Sequence, residues 1–210
     1  MREIRNLGIL GGTFNPIHYG HLVAAEYARE ACHLDRVIFI PSARPPHKDI
    51  DEVLDCKHRY EMVKTAVQDN PDFAVSTMEI ERKGMSYTVE TIDAYLQQFP
   101  GINIFFILGV DALLLMNTWK DVDRLAQICS FIVVTRPGYK LNREDECFRG
   151  IPALMWEKML FITVPGLSTS SSNLRERVAQ GKTIKYLLPA AVEQYIWENN
   201  LYRDEEASHV

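Results

Sequence analysis

Hydrophobic residues along this chain follow two alternating periodicities, and each periodicity predicts one kind of element. Short runs of consecutive apolar residues bounded by Gly or Pro indicate buried strands, whereas apolar residues three and four positions apart indicate amphipathic helices. The predicted strands are 4–10, 36–40, 73–80, 102–108, 131–135 and 160–164. The predicted helices are 19–32, 53–68, 88–99, 121–127, 172–180 and 189–199.

This alternation of strands with helices predicts an α/β fold. We expect a Rossmann-like doubly wound parallel sheet with helices on both faces, because helices that follow each strand cover a parallel sheet on two sides. The continuous apolar runs at 102–108 and 131–135 are those expected of central strands. The length of 210 residues fits one domain, which we predict to span 1–210, with a polar tail at about 203–210 that frays.

Composition limits the cellular compartments and the classes of partner that we expect for this protein. The net charge of −5 argues against a nucleic-acid partner, because such proteins carry a basic stripe. The four Cys residues form no C-x-x-C pair, so we expect free thiols in the reducing cytoplasm. No signal peptide is predicted, and the longest apolar stretch, 104–116, is interrupted by Asp111 and too short to span a membrane. A cytoplasmic protein with no membrane partner is therefore expected, and a homo-oligomer is left open.

The segment 11–21 carries the most specific chemical signal in the sequence. Gly11 and Gly12 end the first predicted strand and let the backbone approach a ligand closely. The following helix directs free N–H groups and a positive dipole end at the same point. His18 and His21 lie three positions apart, so they share one face of the helix start. Backbone donors and two imidazoles together suit a polyphosphate that gains charge in a transition state.

Other segments that follow strands are expected in the same crevice, since ligands of such sheets lie beyond the carboxyl ends of the strands. The loop 41–48 contains Lys48 and two further cations, which either face solvent or close over phosphates. Asp111, just after Gly109, is placed to accept hydrogen bonds from a ribose or to cap a helix. Trp119 follows closely, and its spacing alone favours a core position.

A serine-rich segment, 168–177, begins a late helix. Its hydroxyls and the helix N–H groups suit an anion. Arg175 lies near the first turn, where a cation opposes the helix dipole, so an anionic partner would explain it. The alternative is a flexible serine linker before an amphipathic helix.

Two of these segments resemble the signatures of a known family. The segment 11–21 is similar to the first signature of the HxGH nucleotidyltransferases, enzymes that join a nucleotide to a phosphate monoester and release pyrophosphate. The segment 170–175 is similar to their second signature, Ser-Ser-Ser/Thr-x-Leu/Ile-Arg. With 45–48, 86–88 and 109–111 together with Trp119 added, the chain resembles the bacterial nicotinate-mononucleotide adenylyltransferases nearly end to end.

The resemblance implies a role for each candidate residue. The catalytic residues would be His18, His21 and Arg175. The ATP-binding residues would be Gly11, Gly12, Thr13, Gly109, Asp111, Arg136, Ser171 and Ser172. The mononucleotide-binding residues would be Lys48, Thr88 and Trp119. The substrates would be ATP and nicotinate mononucleotide, with Mg²⁺ carried on the ATP phosphates and no metal ligand from the protein.

Two residues depart from the family pattern, and the departure at Ser172 is mild because Ser keeps the hydroxyl of the more frequent Thr. Asn15 stands where family members usually have Asp, which puts any role of a negative charge there in doubt. A non-catalytic nucleotide sensor on the same fold, or an enzyme with another acceptor such as nicotinamide mononucleotide or phosphopantetheine, are the alternatives. His18 and His21 would also suit zinc, but no third ligand accompanies them in the sequence.

Overall fold

Strands and helices alternate through the computed structural model, which describes residues 4–44, 53–82, 84–139 and 141–203. The strands are β1 (Asn6–Gly12), β2 (Arg36–Pro41), β3 (Phe73–Val75), β4 (Asn103–Gly109), β5 (Ser130–Thr135) and β6 (Met159–Thr163). The α-helices are α1 (Tyr19–Ala31), α2 (Cys56–Val67), α3 (Met78–Glu81), α4 (Thr88–Gln98), α5 (Val110–Leu114), α6 (Val122–Ile128), α7 (Ala153–Glu157), α8 (Ser171–Ala179) and α9 (Ala190–Glu198).

The six strands form one parallel sheet in the order β3-β2-β1-β4-β5-β6. The register places Leu10 of β1 beside Phe39 of β2 and Ile107 of β4. The direction of winding reverses between β1 and β4, and a crevice opens at that point beyond the carboxyl ends of the strands. The predicted fold class, a doubly wound parallel sheet with helices on both faces, is confirmed.

Alternate residues of the strands feed two separate cores, one on each face of the sheet. Leu10 and Ile107 pack into the core that α1, α2, α8 and α9 cover. Ile9 and Phe106, their neighbours in sequence, pack into the core on the opposite face, which α4 to α7 cover. Because both faces are buried, the central strands need continuous apolar runs, and this requirement is what made them visible in the sequence.

The prediction of a strand over 73–80 is wrong beyond residue 75. The backbone N–H of Ser76 makes the last bond to β2, at the carbonyl of Phe39 (3.0 Å), and the Ser76 hydroxyl then accepts from the N–H of Met78 (3.2 Å). This side-chain bond turns the chain into the single turn of α3, as short polar side chains often do. The short helices α5 and α7 were also not predicted, because helices of five residues show too little periodicity.

None of the helices in the described ranges is long and apolar enough to cross a membrane. The assignment of 1–210 to one domain stays a prediction. Residues 204–210 of the tail lie outside the described residues.

Candidate active site

His18 and His21 hold each other in a fixed arrangement at the start of α1. The Nδ1 atom of His18 accepts from the backbone N–H of Gly20 (3.1 Å), and the backbone N–H of His18 donates to Nδ1 of His21 (3.3 Å). The two ring centroids lie 3.9 Å apart. Because Nδ1 accepts in both rings, each neutral ring carries its proton on Nε2 and can donate from there.

The glycine between the two histidines is required by this cap. A Cβ atom added at Gly20 would lie 2.9 Å from both Cε1 and Nδ1 of His18. The His18 ring would then have to leave its position over the helix start. The His-x-Gly-His spacing therefore describes one compact N-terminal cap rather than two independent side chains.

Burial keeps His18 neutral. Only 7% of this residue is exposed, and its pKa is lowered to about 4 by burial and, to a smaller extent, by the charge of Arg136. At neutral pH the ring is therefore an uncharged hydrogen-bond donor in the ligand-free protein.

A first cavity of about 610 Å³ opens beside this pair. It lies between the carboxyl ends of β1, β4 and β5 and the start of α8. Predicted ATP-binding and catalytic residues line it: His18, His21, Gly109, Asp111, Arg136, Ser171 and Ser172. The half-exposed side chains of Leu114, Tyr139 and Leu167 also line it. A cavity that combines one cation, Arg136, with neutral hydrogen-bond donors and apolar side chains suits a nucleotide.

A second cavity of about 460 Å³ adjoins the first on the other side of β1 and β4. His21, Gly109 and Asp111 line both cavities. The remaining predicted residues found here are Gly11, Gly12, Thr13, Thr88 and Trp119. Gly11, Gly12 and Thr13, which we predicted to bind ATP, thus line the second cavity. Thr88 and Trp119, which we predicted to bind the mononucleotide, line the same cavity.

Trp119 has a dual environment. Its ring packs edge-on against Phe106, with centroids 5.7 Å apart and an angle of 88° between the planes. It is only half-buried and lines the second cavity. The core position that its spacing favours therefore describes only one side of Trp119. One part of the ring packs against Phe106, and the residue also faces a cavity large enough for a ligand.

The serine-rich segment forms a capped helix start, as predicted. The Ser170 hydroxyl accepts from the N–H of Asn173 (3.2 Å) and begins α8. Arg175 does not line either cavity. Its Nη1 donates to the carbonyl of Asn15 (2.9 Å) and its Nη2 to the hydroxyl of Ser172 (3.4 Å). A direct contact of Arg175 with phosphate stays a prediction, and Lys48 lies outside the described residues.

Several residues at the second cavity were not predicted. Lys120 lines it, with Nζ 2.6 Å from Oε1 of Glu90 and 4.4 Å from the ring centroid of Tyr87. Glu79 is buried in its wall and accepts from the Thr91 hydroxyl (2.7 Å), and burial raises the pKa of its carboxyl. The only sequence feature that indicates Lys120 as a site residue is its position directly after Trp119.

A buried arginine connects the loops at the site. Arg59 is 1% exposed and donates to the carbonyls of Thr13 (2.8 Å) and Leu54 (2.7 Å). The loop after β2 is held from the other side by Ser86, whose hydroxyl accepts from the N–H of Ala43 (3.1 Å). In the sequence, Arg59 is marked only as a charged residue on the apolar face of a predicted helix, the face that also carries Met62, Val63 and Ala66.

The described residues include no group of three or more His, Cys, Asp or Glu side chains that could hold a metal ion. Mg²⁺ on a nucleotide needs no such group, because it binds substrate phosphates and keeps several waters.

Comparisons with known proteins identify relatives of this chain. The cytidylyltransferase-like family model matches residues 9–177, a range that includes the cap at α1 and most of α8. A probable nicotinate-nucleotide adenylyltransferase of Thermoanaerobacter sp. is 49% identical over 100% of this chain and 99% of its own length. One from Moorella thermoacetica is 50% identical over 94% and 91%. The chain belongs to the nicotinate-nucleotide adenylyltransferase family. The predicted resemblance is confirmed.

A solved structure shares the fold of this family member. Nicotinic acid mononucleotide adenylyltransferase of Plasmodium falciparum, complexed with NaAD, superposes with a TM-score of 0.76 at 21% identity. The match covers 94% of this chain and 97% of that one. The complex of the same protein with APC gives a TM-score of 0.74 at 20% identity.

The low pKa of His18 generates a prediction about stability. The unfolded chain has the ordinary His pKa of 6.5, so between pH 6.5 and pH 4 it binds more protons at this residue than the folded chain does. The free energy of unfolding therefore falls as the pH falls through that window. From pH 7 to pH 4.5 the share of His18 is about 2 kcal/mol.

Urea unfolding of the wild-type protein and of His18→Gln at both pH values measures this share. We expect the wild-type free energy of unfolding to fall by about 2 kcal/mol more than that of the variant, which has no imidazole at this position to protonate. Equal falls in the two proteins would contradict the assignment of a buried neutral His18.

Proposed function

We propose that this protein transfers the adenylyl group of ATP to nicotinate mononucleotide, giving nicotinate adenine dinucleotide and pyrophosphate. The observation that carries the proposal is the meeting of two adjoining cavities at His21, Gly109 and Asp111, next to the histidine cap. ATP would occupy the first cavity and the mononucleotide the second. The names of the full-length relatives support the same substrates.

The proposed step is an in-line displacement at the α-phosphorus. A phosphate oxygen of the mononucleotide forms the new O–P bond, and the bond from the α-phosphorus to the bridging oxygen of pyrophosphate breaks. The nucleophile is already an anion, so no strong base is needed and no covalent enzyme intermediate forms. Catalysis then consists of positioning and of stabilising the charge that develops on the leaving group.

The histidine cap supplies donors for that charge. Nε2 of His18 and of His21 would donate hydrogen bonds to the phosphate oxygens, because their Nδ1 atoms are already acceptors. Arg136 and the start of α8 add a positive charge and a helix dipole at the same cavity. Asp111 would accept from the adenosine ribose, and Gly109 would let the nucleotide approach the strand end.

Mg²⁺ is proposed as the metal, bound to the ATP phosphates. It would neutralise part of the phosphate charge and favour departure of pyrophosphate. The protein would bind the metal only through the nucleotide and water. A cytoplasmic location stays a prediction, and the oligomeric state stays open.

Pyrophosphate release from ATP and Mg²⁺ tests the function, with nicotinate mononucleotide and nicotinamide mononucleotide as parallel acceptors. We expect steady multiple turnover with the acid form and little with the amide form. Nucleotide binding without turnover on either acceptor would contradict the proposal and favour the sensor or a different acceptor.

The role of His18 predicts a loss of turnover without loss of the fold. His18→Ala should lower kcat about 10²-fold, the scale of removing one donor to a developing charge. His33→Asn, which removes an imidazole that lines neither cavity, should keep wild-type kcat. A His18→Ala variant that turns over within threefold of wild type, roughly, would remove the role assigned to this residue.

The role of Trp119 predicts a selective effect on the Michaelis constants. Trp119→Ala should raise KM for the pyridine nucleotide about tenfold and KM for ATP much less, because stacking on one base contributes about 1–3 kcal/mol. Trp156→Ala is the matched control, since Trp156 also packs edge-on against a phenylalanine (Phe148, 5.6 Å, 90°) but lines neither cavity. Equal rises of KM for both substrates would indicate a purely structural Trp119.

The position of Lys120 predicts that its charge contributes to a preference for nicotinate mononucleotide over nicotinamide mononucleotide. Its charge lies in the wall of the second cavity, and a carboxylate on the pyridine ring would be attracted to it. Lys120→Gln should lower kcat/KM for the acid form about twofold to fivefold and leave the amide form unchanged, the effect being small because the side chain is half exposed. An equal loss for both acceptors would contradict this contribution.

A further inference from the structure

The loop between β1 and α1, residues 13–18, is held in place by parts of the chain that lie far away in sequence. Two contacts come from α8. The Ser171 hydroxyl donates to the carbonyl of Pro16 (2.8 Å), and Arg175 Nη1 donates to the carbonyl of Asn15 (2.9 Å). The loop leads directly into the His18 cap, so its position sets where the histidine donors lie.

A third contact comes from the C-terminal segment. Tyr202 follows α9, and its hydroxyl donates to Oδ1 of Asn15 at 2.8 Å, across 187 positions of sequence. Asn15 is 3% exposed, so this bond is shielded from water. Burial raises the pKa of the Tyr202 hydroxyl, which therefore remains a donor at neutral pH. Asn15 is thus held at two points, by Tyr202 on its side chain and by Arg175 on its carbonyl.

We propose that Tyr202 is a positioning residue for adenylyl transfer. Its hydroxyl fixes Asn15 so that the loop holds His18 at the wall of the first cavity and keeps Arg175 turned toward the loop. This role rests on the proposed function. The C-terminal segment, which lies outside both the histidine signature and the serine signature, thus takes part in the reaction.

The same contact explains why an amide serves at position 15. Tyr202 needs an oxygen acceptor there, and the Oδ1 atom of Asn supplies one without adding charge. A carboxylate would supply the same oxygen. What position 15 must provide is therefore an acceptor for the Tyr202 hydroxyl. A side chain without oxygen should lose the effect, and Asp should retain most of it.

A second tyrosine offers a matched control. Tyr195 lies in α9, and its hydroxyl is 3.0 Å from Nδ1 of His58 in α2. Both tyrosines therefore connect the C-terminal region to the body of the protein by one hydroxyl contact. Only the contact of Tyr202 reaches the β1–α1 loop. Tyr→Phe at each position removes one hydroxyl and keeps the ring.

The experiment is steady-state pyrophosphate release by the full-length protein, with ATP and nicotinate mononucleotide varied in turn. Tyr202→Phe should lower kcat about fivefold to tenfold, the effect of one lost hydrogen bond expressed at the reacting centre, with both KM values changed less than twofold. Tyr195→Phe should keep wild-type kcat. Melting temperatures of the two variants, taken in parallel, show whether they are folded to the same extent.

A double-mutant cycle separates this role from a general loosening. Asn15→Ala should lower kcat as Tyr202→Phe does, and the double variant should be no slower than the slower single one, because both changes remove the same bond. Asn15→Asp should be clearly faster than Asn15→Ala. Additive losses, or an equal loss in Tyr195→Phe, would overturn the positioning role.

The outcomes also distinguish this inference from the proposed function. Wild-type protein that releases no pyrophosphate would overturn the proposed function and this role with it. Wild-type turnover that Tyr202→Phe leaves unchanged would overturn the role of Tyr202 alone.

Discussion

The reciprocal bonding of His18 and His21 is the constraint on which the rest of the site depends. Each imidazole uses Nδ1 to accept a backbone N–H at the start of α1, and this leaves Nε2 as the donor in both. Two histidines thereby become a fixed pair of donors, with no side-chain ordering left for the moment of reaction. Gly20 is part of the same constraint, because any Cβ there would displace the His18 ring.

The topology of the sheet determines where this pair of histidines lies. Winding reverses between β1 and β4, so the ends of these two strands face an open crevice rather than a covering helix. The histidine cap begins directly after β1 and therefore lies at the wall that the two cavities share. Two ligands that react with each other need such a shared wall, since positioning of the reactants supplies much of the catalysis in phosphoryl chemistry.

The sequence predicted the features that depend on local pattern. The parallel sheet, the glycine turn, the histidine pair and the capped start of α8 all follow from residue types at short spacing, and the structure brings them together. Features that depend on long-range contact were missed. Arg59 and Tyr202 reach the β1–α1 loop from positions far along the chain, and no local periodicity indicates where their polar ends point. Arg175 was expected to face phosphate, but in this structure it binds a backbone carbonyl of the loop.

The strand predicted over 73–80 shows the same limit at smaller scale. Its residues suit a strand, but the hydroxyl of Ser76 bonds to the backbone two residues on and turns the chain. Burial of Glu79 beside the second cavity follows from that turn. The bond of the Ser76 hydroxyl thus ends the edge strand β3, and Glu79 after it lies in the wall of the second cavity.

The most direct test of the account is whether the two cavities hold the two substrates at once. Calorimetry would measure the binding of nicotinate mononucleotide to the protein alone and to the protein saturated with a non-hydrolysable α,β-methylene analogue of ATP. The account predicts that one mononucleotide binds per chain in both cases, with the same or higher affinity when the analogue is present. Loss of mononucleotide binding in the presence of the analogue would contradict it, because the two ligands would then compete for a single site.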